Sequence, residues 1–442
     1  MTPKIIKAAL IALALIGAET RAAAQDDEIE EAALQDTAQL YSDDAELCAL
    51  LPPCVIPDSD AIQLPGGAGR EMSIFVSKLD SVLLLGKGRV SIIQIGGSHV
   101  QADMHTEVFR QRLDSLNGGL RPARGFLFPY SVAKTNNPLG YRVRYGGAWD
   151  KARCSVRKPR PALGVSGITV YTADTTAWIS FDTDPDTTGR WTMTGLRLLS
   201  RPSAQNIKPV VDLGDTLVCA EATDDISYTF RLPRPVTHFT LRLRAGSLMN
   251  PEPFFVDGVI PIAPDDGITF HTIGVNSAAV PHYLRCELFE NQLRALRPDL
   301  MIMSIGVNDA SGPNFNPDTF RNNYDVLIDM VRRVNPDCAF IFISNNDTKR
   351  RVRRRRRIVN TNGPLARDAF ATMAEKWQGG FWDLFGLMGG LGSMSQWQKA
   401  GLAQRDCIHF SRQGYKLVGA LFYNAFLNFY LDQEASDDTE RL

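Results

Sequence analysis

The feature that most constrains this chain is a series of short apolar runs, each closed by a turn and followed by a helical pattern. Five such runs stand out: Val90 to Ile95, Ile268 to Ile273, "LMIMSIG" from Leu300, "AFIFIS" from Ala339 and "GFWDLF" from Gly380. They are too short for core helices, rich in β-branched and aromatic residues, and apolar throughout rather than alternating, so each predicts a strand covered on both faces. Helical periodicity fills the gaps: Met72 to Leu85 before the first run, Val108, Leu113 and Leu116 after it, and Leu284, Leu288, Leu293 and Leu296 after the second. Tyr415 to Tyr430 closes the series as a long apolar-faced helix. Strands alternating with helices predict an α/β fold, an open parallel sheet between two helical layers.

One stretch breaks that rhythm. Between about Gly125 and Asp266 the chain carries β-like runs such as "GITVYT", "AWISFDT", "YTFRL" and "HFTLRLRA", separated by Asp, Thr, Gly and Pro. This spacing predicts an antiparallel β-sandwich, jelly-roll-like, inserted into the α/β sequence. A chain of 442 residues exceeds what one core usually holds. The expected division is 1–24 leader, 25–70 linker, 71–125 first part of the α/β domain, 126–265 β insert, 266–432 second part and 433–442 disordered acidic tail.

The leader reading rests on Lys4 and Lys7, the apolar run Ala8 to Ala18, and Ala22-Ala23-Ala24 as an A-x-A-like cleavage site. It predicts export to a bacterial periplasm or the medium, with no stable membrane insertion once the leader is removed. Seven cysteines suit an oxidising compartment. Cys48 with Cys54, and Cys154 with Cys219, are possible pairs that spacing alone does not settle. The cysteines lack paired C-x-x-C spacing, so no structural zinc is assigned. A formal net charge of -1 gives no global attraction to nucleic acid or membrane.

Candidate chemistry gathers at the ends of the predicted strands, where open α/β sheets bind ligands. "IIQIGGSH" puts Ser98 on the corner between the first strand and a helix, among backbone N–H donors, as a candidate nucleophile. A serine needs a base. "RDCIHFSRQGY" supplies His409 with Asp406 three residues before it, and Ser411 as an N-cap for the closing helix. His99, His105, His238, His271 and His282 have no carboxylate so placed, and His99 with His105 lacks a third metal ligand. "MSIGVNDA" places Asn308 at the end of the third strand, and "HTIGVNSA" places Gly274, Asn276 and Ser277 at the end of the second, as donors for a developing oxyanion.

In this order the residues resemble the SGNH, or GDSL-like, hydrolase superfamily, whose blocks contribute a Ser, a Gly, an Asn and a His with Asp three residues before it. The matching positions are Ser98 in "IGGSHVQ", the "GVNSA" turn, Asn308 in "GVND", and Asp406 and His409 in "DCIH". The resemblance implies a flavodoxin-like three-layer fold and a serine esterase with Ser98, His409 and Asp406 as catalytic residues, requiring neither metal nor organic cofactor. Its oxyanion hole would use Asn308, the Ser98 N–H and an N–H from Gly274 or Ser277. Among superfamily members the chain is most similar to exported bacterial peptidoglycan and polysaccharide O-acetylesterases, which implies an acylated polysaccharide or peptidoglycan as substrate. A glycan-binding protein that uses the β insert, and a sugar O-acyltransferase, are the alternatives. The chain departs from the family pattern at Gly97, where the family usually has Asp, and in the second block, where Ser277 can occupy the glycine position.

Two features stand outside this scheme. "KRRVRRRRR", Lys349 to Arg357, reads either as a solvated loop leading into a first helical turn or as a patch for an anionic polymer. Nucleic acid is not expected as its partner in an exported protein. Trp149, Trp178, Trp191 and Phe255 in the insert are expected in its core, with a minority free to stack on sugar rings.

Overall fold

A computed structural model describes residues 49–157, 161–202, 207–245, 253–353 and 356–440. The leader and Cys48 lie outside the described residues. The strands β1 (Ile62–Gln63), β2 (Arg89–Gly96), β3 (Gly267–Gly274), β4 (Leu300–Ser304), β5 (Ala339–Ile343) and β8 (Gly380–Trp382) form one sheet. Two further strands, β6 (Lys349–Arg353) and β7 (Arg356–Val359), pair only with each other. The six-stranded sheet runs β1-β8-β5-β4-β2-β3, with β1 antiparallel at one edge and the remaining five strands parallel. The chain therefore reverses its direction of winding between β2 and β4, the place where an open sheet of this order leaves a crevice beyond its carboxyl ends.

Alternation along the strands builds the layers. In β2, Val90 and Ile92 face one side and Ile93 and Ile95 the other, and all four are at most 1% exposed. The first side is covered by α1 (Arg70–Leu85), α3 (His105–Asp114) and α7 (Arg412–Glu440), through Phe75, Leu79, Phe109, Phe422 and Phe426. The second is covered by α4 (Phe289–Leu296), α5 (Pro317–Val334) and α6 (Gly363–Lys376), through Leu293, Phe320, Leu327 and Phe370. α5 shows why such a segment becomes a helix here. Asn316 caps it by accepting from the Thr319 N–H at 2.8 Å, Pro317 occupies the first turn, and Phe320, Tyr324, Leu327, Ile328 and Val331 make one buried stripe.

The strands between Arg142 and Ile262 are antiparallel and sort into sheets of four, five and three strands among the described residues. Their inner faces, including Val170, Ile179, Phe181, Leu196, Phe230 and Phe239, run into the same apolar core as the second face of the parallel sheet. The insert is thus packed onto the α/β domain rather than tethered to it. Trp191 is buried, Trp149 packs against this core, and Phe255 carries Arg201 over its ring.

Three expectations need correction. The segment 25–70 is not an extended linker over its described part: Val55 and Ile62 are buried in the core, β1 pairs with β8, and the Trp382 indole donates to Asp60 at 2.9 Å. Its few apolar residues are what dock it, while its Pro and Gly only shape the path. The acidic tail continues the backbone of α7 to Glu440, with neither Gly nor Pro after Leu431 to stop it. Cys154 and Cys219 are unbonded thiols, the first buried beside Gly167 and the second exposed on a strand of another sheet.

Candidate active site

Ser98 opens the four-residue helix α2 (Ser98–Gln101) directly after β2. The corner is tight because of close packing on both sides. A Cβ on Gly96 would sit 2.3 Å from Val100 Cγ2, and one on Gly274 would sit 2.2 Å from the Gln101 backbone nitrogen. Only glycine lets β2 and β3 approach α2 this closely. Gly274→Ala is expected to push α2 off the sheet, destabilising the protein by about 2–3 kcal/mol and slowing turnover by about 10²-fold through displacement of Ser98. Urea unfolding and kcat/KM on a small acetate ester read both effects, and wild-type values in both would contradict this account of the corner.

His409 arrives from the far end of the sequence. Ser98 Oγ lies 2.8 Å from His409 Nε2, and His409 Nδ1 lies 2.6 Å from Asp406 Oδ2. The other carboxylate oxygen, Oδ1, accepts from the Ile408 and His409 backbone N–H groups at 2.9 and 3.0 Å. This turn closes because Cys407 adopts a left-handed φ of 51°, unusual for a residue with a side chain. Burial alone would raise the Asp406 carboxyl, but the bonds from the His409 ring and the two N–H groups outweigh it and hold the group well below the usual carboxylate range. The carboxylate is therefore held by three hydrogen bonds within the loop, and it fixes both the orientation and the tautomer of the imidazole.

His99 lies beneath this pair. Its ring centroid is 5.1 Å from that of His409, and its Nδ1 shares a hydrogen bond of 2.9 Å with the Tyr415 hydroxyl. Burial, with His409 and His105 adding to it, pushes the His99 imidazole down to about 3, so the ring stays neutral against its neighbour. A charged His99 would disfavour protonation of His409; a neutral one only packs.

The amide of Asn308 stands on the other side of Ser98. Its Nδ2 donates to Ala278 O at 2.9 Å, which leaves its second N–H unassigned, and a Cβ at Gly97 would be 3.3 Å from that nitrogen. The two second-block residues differ in setting. Gly274 is enclosed against α2, with its carbonyl taken by the Tyr130 hydroxyl at 2.9 Å. Ser277 is exposed and adopts a left-handed φ of 65°. Asp309, which follows Asn308, has its carboxyl pushed up to about 7 by burial, partly offset by the hydrogen bond it accepts from the Val280 N–H.

Several residues of the rim were not singled out from the sequence. Gln101 Oε1 accepts from Asn276 N at 2.7 Å, and its Nε2 donates to Thr135 Oγ1 and Asn136 Oδ1, each at 3.0 Å. Asn276 reaches the same two atoms. This ties the segment 126–141, which leads into the insert, to the mouth of the crevice. Behind it lies a largely buried ion cluster: Asp103 accepts from Arg110 and Arg124, and both arginines also bond the partly exposed Glu107. Burial would raise Asp103, but the two guanidinium groups hold it at about 2. Removing either arginine leaves a buried carboxylate short of a partner, a loss of about 3–5 kcal/mol in such clusters. The signal was present as Asp103, Glu107 and Arg110 at helical spacing, but Arg124 lies beyond the helix and only the fold brings it in.

Residues 259–417 match the GDSL-like lipase/acylhydrolase family. Among solved structures, one described as a peptidoglycan O-acetylesterase in action is 20% identical, with a TM-score of 0.67, covering 84% of this chain and 99% of its own. A crystal structure of an acetyl xylan esterase is 16% identical (TM-score 0.29), covering 36% of this chain and 81% of its own. The lipase/acylhydrolase from Enterococcus faecalis is 22% identical (TM-score 0.29), covering 36% and 75%. No curated protein matches the chain. The first of these structures shares the fold over the span that it covers.

Proposed function

We propose that this chain, whose residues 259–417 match the GDSL-like lipase/acylhydrolase family, is an exported serine esterase that removes O-acyl groups, acetyl foremost, from a cell-wall or other polysaccharide. That it is a carboxylic ester hydrolase follows from the family; the residues, the substrate and the export are our reading. The observation that carries it is the 2.8 Å contact between Ser98 Oγ and His409 Nε2, made across 311 positions of sequence at the switch point of the sheet.

In this mechanism Ser98 Oγ attacks the acyl carbonyl while His409 Nε2 takes its proton. Asp406 stabilises the imidazolium that forms without itself taking the proton. The carbonyl oxygen, now an oxyanion, is met by the N–H of Ser98 at the opening of α2 and by the free N–H of Asn308 Nδ2. The Ser277 N–H serves as the third donor rather than that of Gly274, because Ser277 lies on the open side of the turn and Gly274 is packed away behind α2. His409 returns the proton to the departing sugar oxygen, the C–O ester bond breaks, and an acyl-Ser98 ester remains. Water, activated in the same way by His409, hydrolyses that ester to acetate and restores the hydroxyl.

A polysaccharide substrate accords with the polar rim beside Ser98, where the exposed Asn136 and the half-buried Asn276, tied together through the buried Gln101, present amides rather than apolar side chains. The substrate reading is supported by the peptidoglycan O-acetylesterase likeness. It is tested by acetate release. Acetylated peptidoglycan or acetylated xylan is expected to yield free acetate with the wild-type protein and none above background with Ser98→Ala. Hydrolysis of long-chain acyl esters in preference to acetylated glycans would overturn it.

A further inference from the structure

Over its described residues the arginine run is paired strand rather than a loop or a first helical turn: β6 and β7 form a two-stranded antiparallel ribbon, to which Val352, Ile358 and Val359 contribute β-branched positions, and α6 begins only at Gly363. Eight of the nine residues from Lys349 to Arg357 are Lys or Arg. The register sets Arg351 directly opposite Arg357, and Arg353 opposite Arg356. So dense a run of guanidinium groups makes a local field that attracts an anionic polymer. Arg351, Arg356 and Arg357 are exposed, and no carboxylate among the described residues bonds Arg350, Arg356 or Arg357.

The ribbon is fixed to the active-site loop. The Lys349 N–H donates to Cys407 O at 2.9 Å, and Arg357 Nη1 donates to Asp406 O at 2.6 Å. Both acceptors lie within the turn that holds His409, so whatever lies along the ribbon passes the mouth of the Ser98 crevice.

We propose that this ribbon binds an acidic polysaccharide strand, through its carboxylate or phosphodiester groups, and presents its ester groups to Ser98. The proposal deepens the glycan-esterase reading above and rests on it for the position of the reacting ester. Guanidinium groups suit the task, since each can take a carboxylate or phosphate oxygen pair in a two-point bond. A membrane surface is a poorer fit: Val352 is the only exposed large apolar side chain that the described ribbon offers for insertion.

The test compares Arg351→Gln/Arg356→Gln with wild type on partially O-acetylated polygalacturonate and on partially O-acetylated glucomannan, an acidic and a neutral polymer. Arg357 is left in place because it braces the Asp406 loop. At low ionic strength the ratio of kcat/KM on the acidic polymer to that on the neutral one is expected to fall about tenfold in the variant. That difference should disappear near 0.5 M salt, where screening shortens the range of exposed charges to a few ångströms. Lys87→Gln/Lys151→Gln removes the same charge far from the ribbon and should leave the ratio at the wild-type value. Binding to unacetylated polygalacturonate and to a glycerol-phosphate polymer, measured with Ser98→Ala, separates carboxylate from phosphodiester recognition; tighter binding to either supports the proposal. An unchanged ratio, equal losses on both polymers, or binding confined to phosphatidylglycerol vesicles would overturn it. If wild type cleaves neither polymer while the ribbon still binds polygalacturonate in a salt-dependent way, the esterase reading fails and the ribbon stands.

Discussion

Ser98→Ala is expected to lower kcat on a small aryl acetate by at least about 10⁴-fold while leaving the fold as stable as wild type to within about 0.5 kcal/mol. The size of the loss follows from the loss of the nucleophile itself: what remains is the rate that the oxyanion donors and binding supply without covalent chemistry. The small effect on stability follows from the local structure. Among the described residues Ser98 Oγ has one partner, His409 Nε2, which is itself partly exposed and can turn to water. Alanine is also a good helix former at the opening of α2. Steady-state kinetics with thermal unfolding on the same preparation checks both halves. A variant that keeps a tenth or more of the wild-type rate would mean that another group attacks the ester. A variant that loses activity together with several kcal/mol of stability would mean that Ser98 is structural.

Asp406→Asn is expected to cost about 10⁴ in kcat with little change in KM. The amide fits the same space, but it cannot stabilise an imidazolium, and its NH₂ group can hold the ring in the wrong tautomer. The same substitution has a readout in stability. The folded protein holds the Asp406 carboxyl below its unfolded value, chiefly through the His409 ring and two backbone N–H groups that overcome the effect of burial. A group depressed in this way stabilises the fold above the unfolded value near 4 and loses that contribution as the pH falls through the folded one. Wild type should therefore lose Tm more steeply than Asp406→Asn as the pH falls from about 5 to 3, and the difference between the two isolates this group from other carboxylates. Parallel Tm profiles would indicate that the carboxylate is not anchored as described.

The α/β frame was legible because its strands carry their own punctuation. Val90 to Ile95 is apolar on both faces and ends in two glycines, and that pattern has no good helical reading. Ser98 and Asn308 were legible as candidates for a related reason, since each follows the end of a strand, whereas Asp406 and His409 were legible from their D-x-x-H spacing just before the closing helix. Their meeting was not, since a 2.8 Å contact between positions 98 and 409 depends on strand order, and strand order is decided by how the helices cover the sheet.

The misreadings have physical causes as well. The segment 49–69 has the composition of a linker, yet Val55 and Ile62 are enough to bind it to an edge that β8 leaves open. The arginine ribbon was hidden by its charge, which outweighs the few β-branched residues, Val352, Ile358 and Val359, that mark its strands. The cluster of Asp103 with Arg110 and Arg124 joins a helix to a loop that no periodicity connects. In the second block the sequence leaves Gly274 and Ser277 as alternatives, because residue type alone argues against the left-handed φ of 65° that Ser277 adopts.

The claim that everything else depends on is that Ser98 is the hydroxyl activated by His409. Labelling with a sulfonyl fluoride tests it most directly. The intact protein should gain one equivalent of label as esterase activity disappears, the label should lie on Ser98 in the digested peptide, and Asp406→Asn should take it up far more slowly. Full inactivation with the label on any other residue, or full activity with Ser98 quantitatively labelled, would contradict the account.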